Sequence, residues 1–474
     1  MVRSFQSVIT LLLLSTASGM SAQEKRIPLE PTTHPGSAPA SRKINIDEAV
    51  AFGLANSRSL RLASEAVSRA RGRIAENRAG YLPTVSSDLT YTHLDTGSTV
   101  TFPDANGNPQ TIPIVKQNQK TVGVTANLPI DILGQIRAAV QSSQFQEIAA
   151  RLDFNRTRNQ TVLDIKNAYY DVLRAKAFVD VAEQALKNAQ ERQSTAESYL
   201  RAGTGTRFDV LRAQTEVANA KQNSISARNR VSLAVAALNN ILGLDQNTPL
   251  DVSEAQEAAA PSKDFNGDVA EAYTKRPEIM ESEAQIKAAE KGVILARRSQ
   301  TPTFGLTWNF NYTPDAGGFA PKETSWAALA RVSLPLFEGG LARARTQQAR
   351  ADVNAAKVNK QVAQDNVALE VRQAYLAMVE AQDRLEVTTA ALVEAQEQYR
   401  LAQVRFKAGV TQIPGASPLL EISDAQTALT QAQSNRVNAQ YDLENAKARL
   451  DRAVGRYAFD GAAGPGLPTP RPIK

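Results

Sequence analysis

Apolar residues recur at steps of three and four along one stretch: Val162, Ile165, Tyr169, Val172, Ala175, Val179, Ala182, Leu186 and Ala189. The same steps return at Ala368, Val371, Tyr375, Met378, Ala381, Leu385, Thr388, Leu392 and Ala395. The stripe is narrow and close to a heptad. It predicts helices that meet along a coiled-coil seam, not helices laid on a globular core. No Pro interrupts Ile132 to Leu200. A helix over that stretch is about 100 Å long at ~1.5 Å per residue. Rods of this kind serve as spacers, filaments or tube walls.

Four other segments alternate with period two. Phe304, Leu306, Trp308, Phe310 and Tyr312 share one face, opposite Gly305, Thr307, Asn309 and Asn311. Trp326, Ala328, Ala330, Val332 and Leu334 oppose Ser325, Arg331 and Ser333. Val85, Leu89 and Tyr91 oppose Ser86, Asp88 and Thr90, and Val122, Val124, Ala126 and Leu128 oppose Gly123, Thr125 and Asn127. Each segment is about ten residues, the length that crosses a bilayer as a tilted strand. Pro83, Pro129, Pro302 and Pro335 are expected at the helix–strand junctions. The competing reading is a half-buried soluble sheet. Against it stand the polar faces, with Asp88, Asn127, Asn309, Asn311 and Arg331, which suit a wet lumen. The rod-like remainder also offers little core to cover a sheet. Four strands do not close a barrel, for which eight is the practical minimum. An open edge in lipid leaves backbone groups unsatisfied. Several chains must therefore share one barrel, and three give twelve strands.

The chain is a tandem duplication. Leu128-Pro129 recurs as Leu334-Pro335, and Ala168, Tyr169 and Gly203 recur as Ala374, Tyr375 and Gly409, all 206 residues on. Past the turn at Gly409 the spacing becomes 212, as in Gln214 and Gln426, or Gly243 and Gly455. The second turn has thus gained six residues, around "TQIPGAS". Upstream the spacing is 219, as in Pro83 and Pro302, which predicts a loop 13 residues longer between the two strands of the first repeat. Each repeat reads helix, strand, loop, strand, very long helix, turn, helix.

Composition narrows the chemistry. There is no Cys among 474 residues, so disulfides, thiolate metal sites and Cys nucleophiles are excluded. The two histidines, His34 and His93, build neither a triad nor a metal cluster. No catalytic residue, cofactor or metal is expected. The net charge of +6 is spread over mixed-sign helices, which is not a nucleic-acid footprint. Arg3, the apolar run Val8 to Leu14 and the small residues at Ala17 to Gly19 and Met20 to Ala22 read as a secretory signal. No other apolar run is long enough to span as a helix, so passage through a membrane falls to the strands.

On its Leu-Pro junctions (Leu128-Pro129, Leu334-Pro335), Gly339-Gly340, the Ala-Tyr helix positions and the paired turns, the sequence resembles the TolC family of outer-membrane efflux proteins from about Ile44 to Gly455. The resemblance implies a mainly α fold with β: tandem long helical hairpins in a periplasmic α-barrel, and four strands per protomer in a shared twelve-strand β-barrel. It implies a homotrimer in the outer membrane and its lipid, partnered by a periplasmic adaptor and an inner-membrane pump. It divides the chain into a signal (1–22), a Pro-rich linker (23–43), a first repeat (44–243, strands near 84–95 and 118–129), an equatorial segment (244–266), a second repeat (267–455, strands near 303–313 and 323–335) and a tail (456–474). Gly203, Thr206, Arg207, Gly409, Thr411 and Pro414 are the implied docking tips. Tyr91, Trp308, Phe310, Tyr312 and Trp326 are the implied membrane-interface aromatics.

The family's periplasmic entrance carries a carboxylate ring on the helix after the second turn, and Glu421 and Asp424 match that position. Three apart, they share a helical face, and threefold symmetry stacks them into two rings. An ordinary acidic first helical turn is the simpler reading and is compatible with it. In the first repeat Asp209 matches Glu421, while Arg212 stands in the place of Asp424. The family's tip is bridged by a Tyr and an Arg of the second hairpin. Phe406 stands in the Tyr place and Thr411 near the Arg place, so that hydrogen-bonded latch is not expected in its usual form. The implied function is a passive exit duct for efflux or type I secretion. The alternative is a periplasmic coiled-coil adaptor or scaffold, and an enzyme finds no support.

Overall fold

The computed structural model describes residues 43–104, 106–253, 264–314, 316–317, 322–408, 410 and 418–457. The expected signal, the linker up to residue 42 and most of the tail lie outside them, as do Gly409, Thr411 and Pro414.

The duplication is visible in the lengths of the elements. Helices α1 (Ile46–Asn56) and α2 (Arg58–Ala79) have 11 and 22 residues, and their counterparts α5 (Phe265–Lys275) and α6 (Pro277–Arg298) have 11 and 22. The long α3 (Gln135–Arg201) has 67 residues and α7 (Leu341–Ala408) has 68. The return helices α4 (Arg207–Leu242) and α8 (Pro418–Val454) have 36 and 37. Local chemistry sets the starts. Asn45 accepts the Glu48 amide at 2.8 Å and Glu48 reaches back to the Asn45 amide, a capping box that opens α1. Gly134 precedes α3 at φ 76°, a conformation most side chains avoid.

The helices form one layer, not a globule. In the lower half the order is α4-α3-α8-α7, and in the upper half α2-α3-α6-α7. Helices α4 and α7 stand at opposite ends of the lower layer. The seam residues read from sequence line these contacts. Ile165, Tyr169 and Val172 pack on Leu238 and Leu242, while Val371 and Met378 pack on Leu450 and Val454. At this mid-height core the Tyr169 hydroxyl donates to Ser253 O at 2.6 Å, beside the short parallel pair β1 (Lys43–Ile44) and β6 (Asp251–Val252). Burial holds the Tyr169 hydroxyl above its ordinary range.

One antiparallel sheet of order β2-β5-β7-β8 stands at the end remote from the hairpin turns. It comprises β2 (Thr84–His93), β5 (Asn118–Ile130), β7 (Thr303–Tyr312) and β8 (Thr324–Ser333). Two expectations need correction here. Pro129 lies inside β5 rather than at a junction. Strand β2 stops at Thr84, opposite Asn127, so by Pro129 one side of β5 has no partner that needs an N–H. The extra residues of the first repeat are not a plain loop but a hairpin, β3 (Ser98–Pro103) with β4 (Pro109–Val115). Its turn is closed by Asp104, which accepts the Asn108 and Asn106 amides at 2.9 and 2.7 Å.

Candidate functional site

Two places carry the chemistry: the hairpin tips and the sheet. At the first tip α3 ends in a glycine turn. Gly203 takes φ 76°, and the amides of Thr204 and Gly205 both reach Tyr199 O at 3.0 Å. Thr206 then caps α4. Its hydroxyl accepts the Asp209 amide at 3.2 Å and donates to the Asp209 carboxylate at 2.7 Å. Asp209 is thus committed to a capping box, while Gly203, Thr206 and Arg207 stay exposed. Phe208 and Leu211 are also exposed there, at 71% and 53%. They were not singled out from sequence, although an aromatic in the first turn of a helix with no core beneath it is a readable signal.

At the second tip the two gate carboxylates part company. Glu421 turns toward α7 and pairs with Arg405. Asp424 is exposed and in no ion pair among the described residues. Phe406 is buried and meets Tyr199 edge-on, with centroids 5.9 Å apart. The Tyr199 hydroxyl donates to Phe406 O at 3.2 Å. A tyrosine bond between the hairpins therefore exists, with the hydroxyl supplied by the first hairpin instead of the second.

About two to four turns above the first tip lies a buried polar cluster that joins α3, α4 and α8. Asn188 donates to Gln426 Oε1 at 2.8 Å, and Ser423 donates to Glu216 at 2.7 Å. Arg192, 6% exposed, sits 3.5 Å from Glu216. Arg212 approaches the same carboxylate at 3.6 Å, which gives the basic residue of the first tip its partner. Arg192 Nε and Glu216 Oε2 find no hydrogen bond, so the pair faces itself without full satisfaction.

The sheet separates two chemistries by strand alternation. Register rows place Val85, Ala126, Trp308 and Ala328 on one face, then Ser87, Val124, Phe310 and Trp326, then Leu89, Val122, Tyr312 and Thr324, with Tyr91 beyond. All five expected interface aromatics share this face, and Trp308 stacks with Phe310 at 6.2 Å. The other face is polar. Thr307 donates to Asn127 at 2.8 Å, Thr125 donates to Asn309 at 3.0 Å, and Asp88 lies over Gly123. Among the described residues, no helix is long and apolar enough to cross a membrane, and no cluster of potential metal ligands forms.

The family model described as outer membrane efflux protein matches residues 53–244 and 269–456. The chain belongs to the outer membrane efflux protein family. Among curated relatives of this efflux protein is the toluene efflux pump outer membrane protein TtgC of Pseudomonas putida, 25% identical over 418 residues, covering 86% of this chain and 82% of the relative. The outer membrane efflux protein BepC of Brucella suis is 26% identical over 344 residues, covering 72% and 73%. Solved structures agree on the fold. The outer membrane protein VceC of Vibrio cholerae superposes with TM-score 0.69 at 20% identity, covering 86% of this chain and 96% of that one. The outer-membrane channel OprN gives 0.69 at 20% identity, covering 86% and 89%. The efflux protein is therefore an outer-membrane channel with a large periplasmic helical part, and not an enzyme or a periplasmic adaptor. It works alongside adaptor and pump proteins in efflux or secretion.

Proposed function

We propose that three copies close into one duct, a passive outer-membrane exit opened when a periplasmic adaptor, coupled to an inner-membrane pump, docks on the tips. The observation that carries this reading is the matched set of open edges. Among the described residues, strands β2 and β8 each lack one neighbour. Helices α4 and α7, at the ends of the layer, carry second apolar stripes: Ile225 and Leu233 on α4 are 60% and 63% exposed, and Leu376 and Val387 on α7 are 55% and 68% exposed. One stripe laid on the other in the next copy buries both and pairs β2 with β8, leaving no edge in lipid. Four strands per copy then give about twelve, within the range of closed barrels.

At the tips, Arg207, Phe208 and Leu211 of the first hairpin offer an exposed apolar and basic patch to the adaptor. The gate reading narrows to Asp424, since Arg405 neutralises Glu421 and Asp209 serves its cap. The decisive experiment is fractionation of expressing cells followed by gel analysis with and without boiling. A heat-modifiable trimer in the outer-membrane fraction is expected, and Leu233→Asp is expected to abolish it. A monomer in that fraction would sink the proposal.

A further inference from the structure

All four links to the helices leave the sheet at one edge: α2 enters β2, β5 runs into α3, α6 enters β7, and β8 runs into α7. With the helices periplasmic, the opposite edge faces the cell exterior. Along the lipid-facing side, Ile130 and Phe304 begin the apolar band at the inner edge. Ten residues along β5 lies Lys120, opposite Tyr91. Ten steps of ~3.3 Å at a tilt of about 40° rise roughly 25 Å, the height of an outer-membrane apolar band. Lys120 therefore stands at its outer border.

A second lysine stands at the same height. Tyr312 pairs with Val122 and Thr324, and the ladder continues through the Thr313 amide bond to Glu323 O at 2.6 Å. Lys322 adjoins Glu323 at this outer end of the sheet, roughly two strand spacings from Lys120. Both lysines are exposed, and neither has an ion-pair partner among the described residues. Nearby carboxylates are otherwise placed. Asp95 continues β2 on this face, but the Leu94 amide bond to Gln117 O sets it opposite Lys116. Tyr91 lies level with Lys120 as its register partner and Tyr312 lies one same-face row inward, 61% and 38% exposed, the aromatic layer that marks headgroup depth.

We propose that Lys120 and Lys322 form a binding site for the phosphate groups of the phosphorylated glycolipid in the outer leaflet, with Tyr91 and Tyr312 seated against the first acyl carbons. The lysine stems run along apolar surface and their ammonium groups meet the phosphates in the plane of the headgroups. The site orients the duct in its bilayer and goes beyond its role as an exit.

The test uses the full-length assembled protein in detergent, titrated with bisphosphorylated lipid A, with dephosphorylated lipid A and with inorganic phosphate, and read by native mass spectrometry. Wild type is expected to retain lipid A on the order of thirty-fold more tightly than the double variant Lys120→Gln/Lys322→Gln, from two lysines each acting on an anionic surface. The dephosphorylated lipid should bind wild type as weakly as the variant binds lipid A, inorganic phosphate should bind neither protein measurably, and Lys116→Gln should behave as wild type. Equal retention of lipid A by wild type and the double variant overturns the proposal, as does equal retention of both lipids by wild type. The same spectra report the oligomeric state, so failure of the trimer and failure of the lipid site are seen separately.

Discussion

The Tyr199 hydroxyl donates to the backbone carbonyl of Phe406 across 3.2 Å, so the last turn of one long helix hangs on the last turn of the other. Both rings also meet, so the bond lies at the edge of a small apolar cluster with Leu419 and Ile422. Removing only the hydroxyl isolates the bond. Tyr199→Phe is expected to weaken the closed tip by about 1 kcal/mol, the net worth of one hydrogen bond, and to raise the open fraction several-fold. Single-channel recording in a planar bilayer checks this, and unchanged conductance and open time would count against any closing role.

The two carboxylates of the second tip should behave differently. Asp424→Asn is expected to weaken cation block of the pore, because it removes an exposed, unpaired charge. Glu421→Gln is expected to leave block nearly intact and to loosen the tip by under ~1 kcal/mol, since its pair with Arg405 is partly solvated. Recording with increasing magnesium separates them. If Glu421→Gln abolished block and Asp424→Asn did not, the assignment would be reversed.

The Arg192–Glu216 pair predicts a non-additive result. Arg192→Leu removes the more buried of the two cations beside Glu216, leaving Arg212 at 3.6 Å, and should cost about 1–3 kcal/mol, lowering the temperature at which the assembly melts. Arg192→Leu/Glu216→Leu should lie closer to wild type than the first single change, because no charge is left unpaired at that pair. A double variant as unstable as the sum of the two singles would show that the residues act independently.

Acid should loosen the mid-height clasp. Lys176, by its hydrogen bond, holds the Asp251 carboxyl below the ordinary range. A lowered carboxyl contributes stability that is present above its unfolded value and lost as pH falls through the folded one. The pair is 33% and 40% exposed, so the contribution stays below ~1 kcal/mol. Wild type and Asp251→Asn should therefore differ slightly at neutral pH and converge in acid, measured by thermal melting across pH. A difference that grew toward low pH would contradict this.

Much of the architecture was legible in the sequence for a physical reason. A period of two maps directly onto the faces of a sheet, so the apolar side of Trp308 and the polar side of Asn309 could be assigned before any register was known. The duplication was legible because turn glycines and prolines resist exchange with other residues. The tips were less legible. Tyr199 bonds a main-chain carbonyl, which no residue type announces. The partner of Glu421 lies across a turn whose six added residues hide the register. Pro129 was over-read as a boundary, because a proline breaks a ladder only where the neighbour on its N–H side needs a donor. The β3–β4 hairpin was passed over because its Thr, Val and Ile positions were counted only as extra length.

Helix α3 begins at Gln135 and α7 at Leu341, and they run for 67 and 68 residues. One residue of difference is about 1.5 Å over a rod of roughly 100 Å. Measured from the membrane, the two long helices of a protomer thus end at almost the same depth, and in the proposed ring of three copies their six ends lie on nearly a single plane. In that proposed ring a docking partner meets six helix ends with sixfold spacing, while the pore it opens obeys threefold chemistry. Whatever engages the rim can land in two rotations sixty degrees apart by shape alone, and only the unlike side chains of alternate points can tell it which is correct.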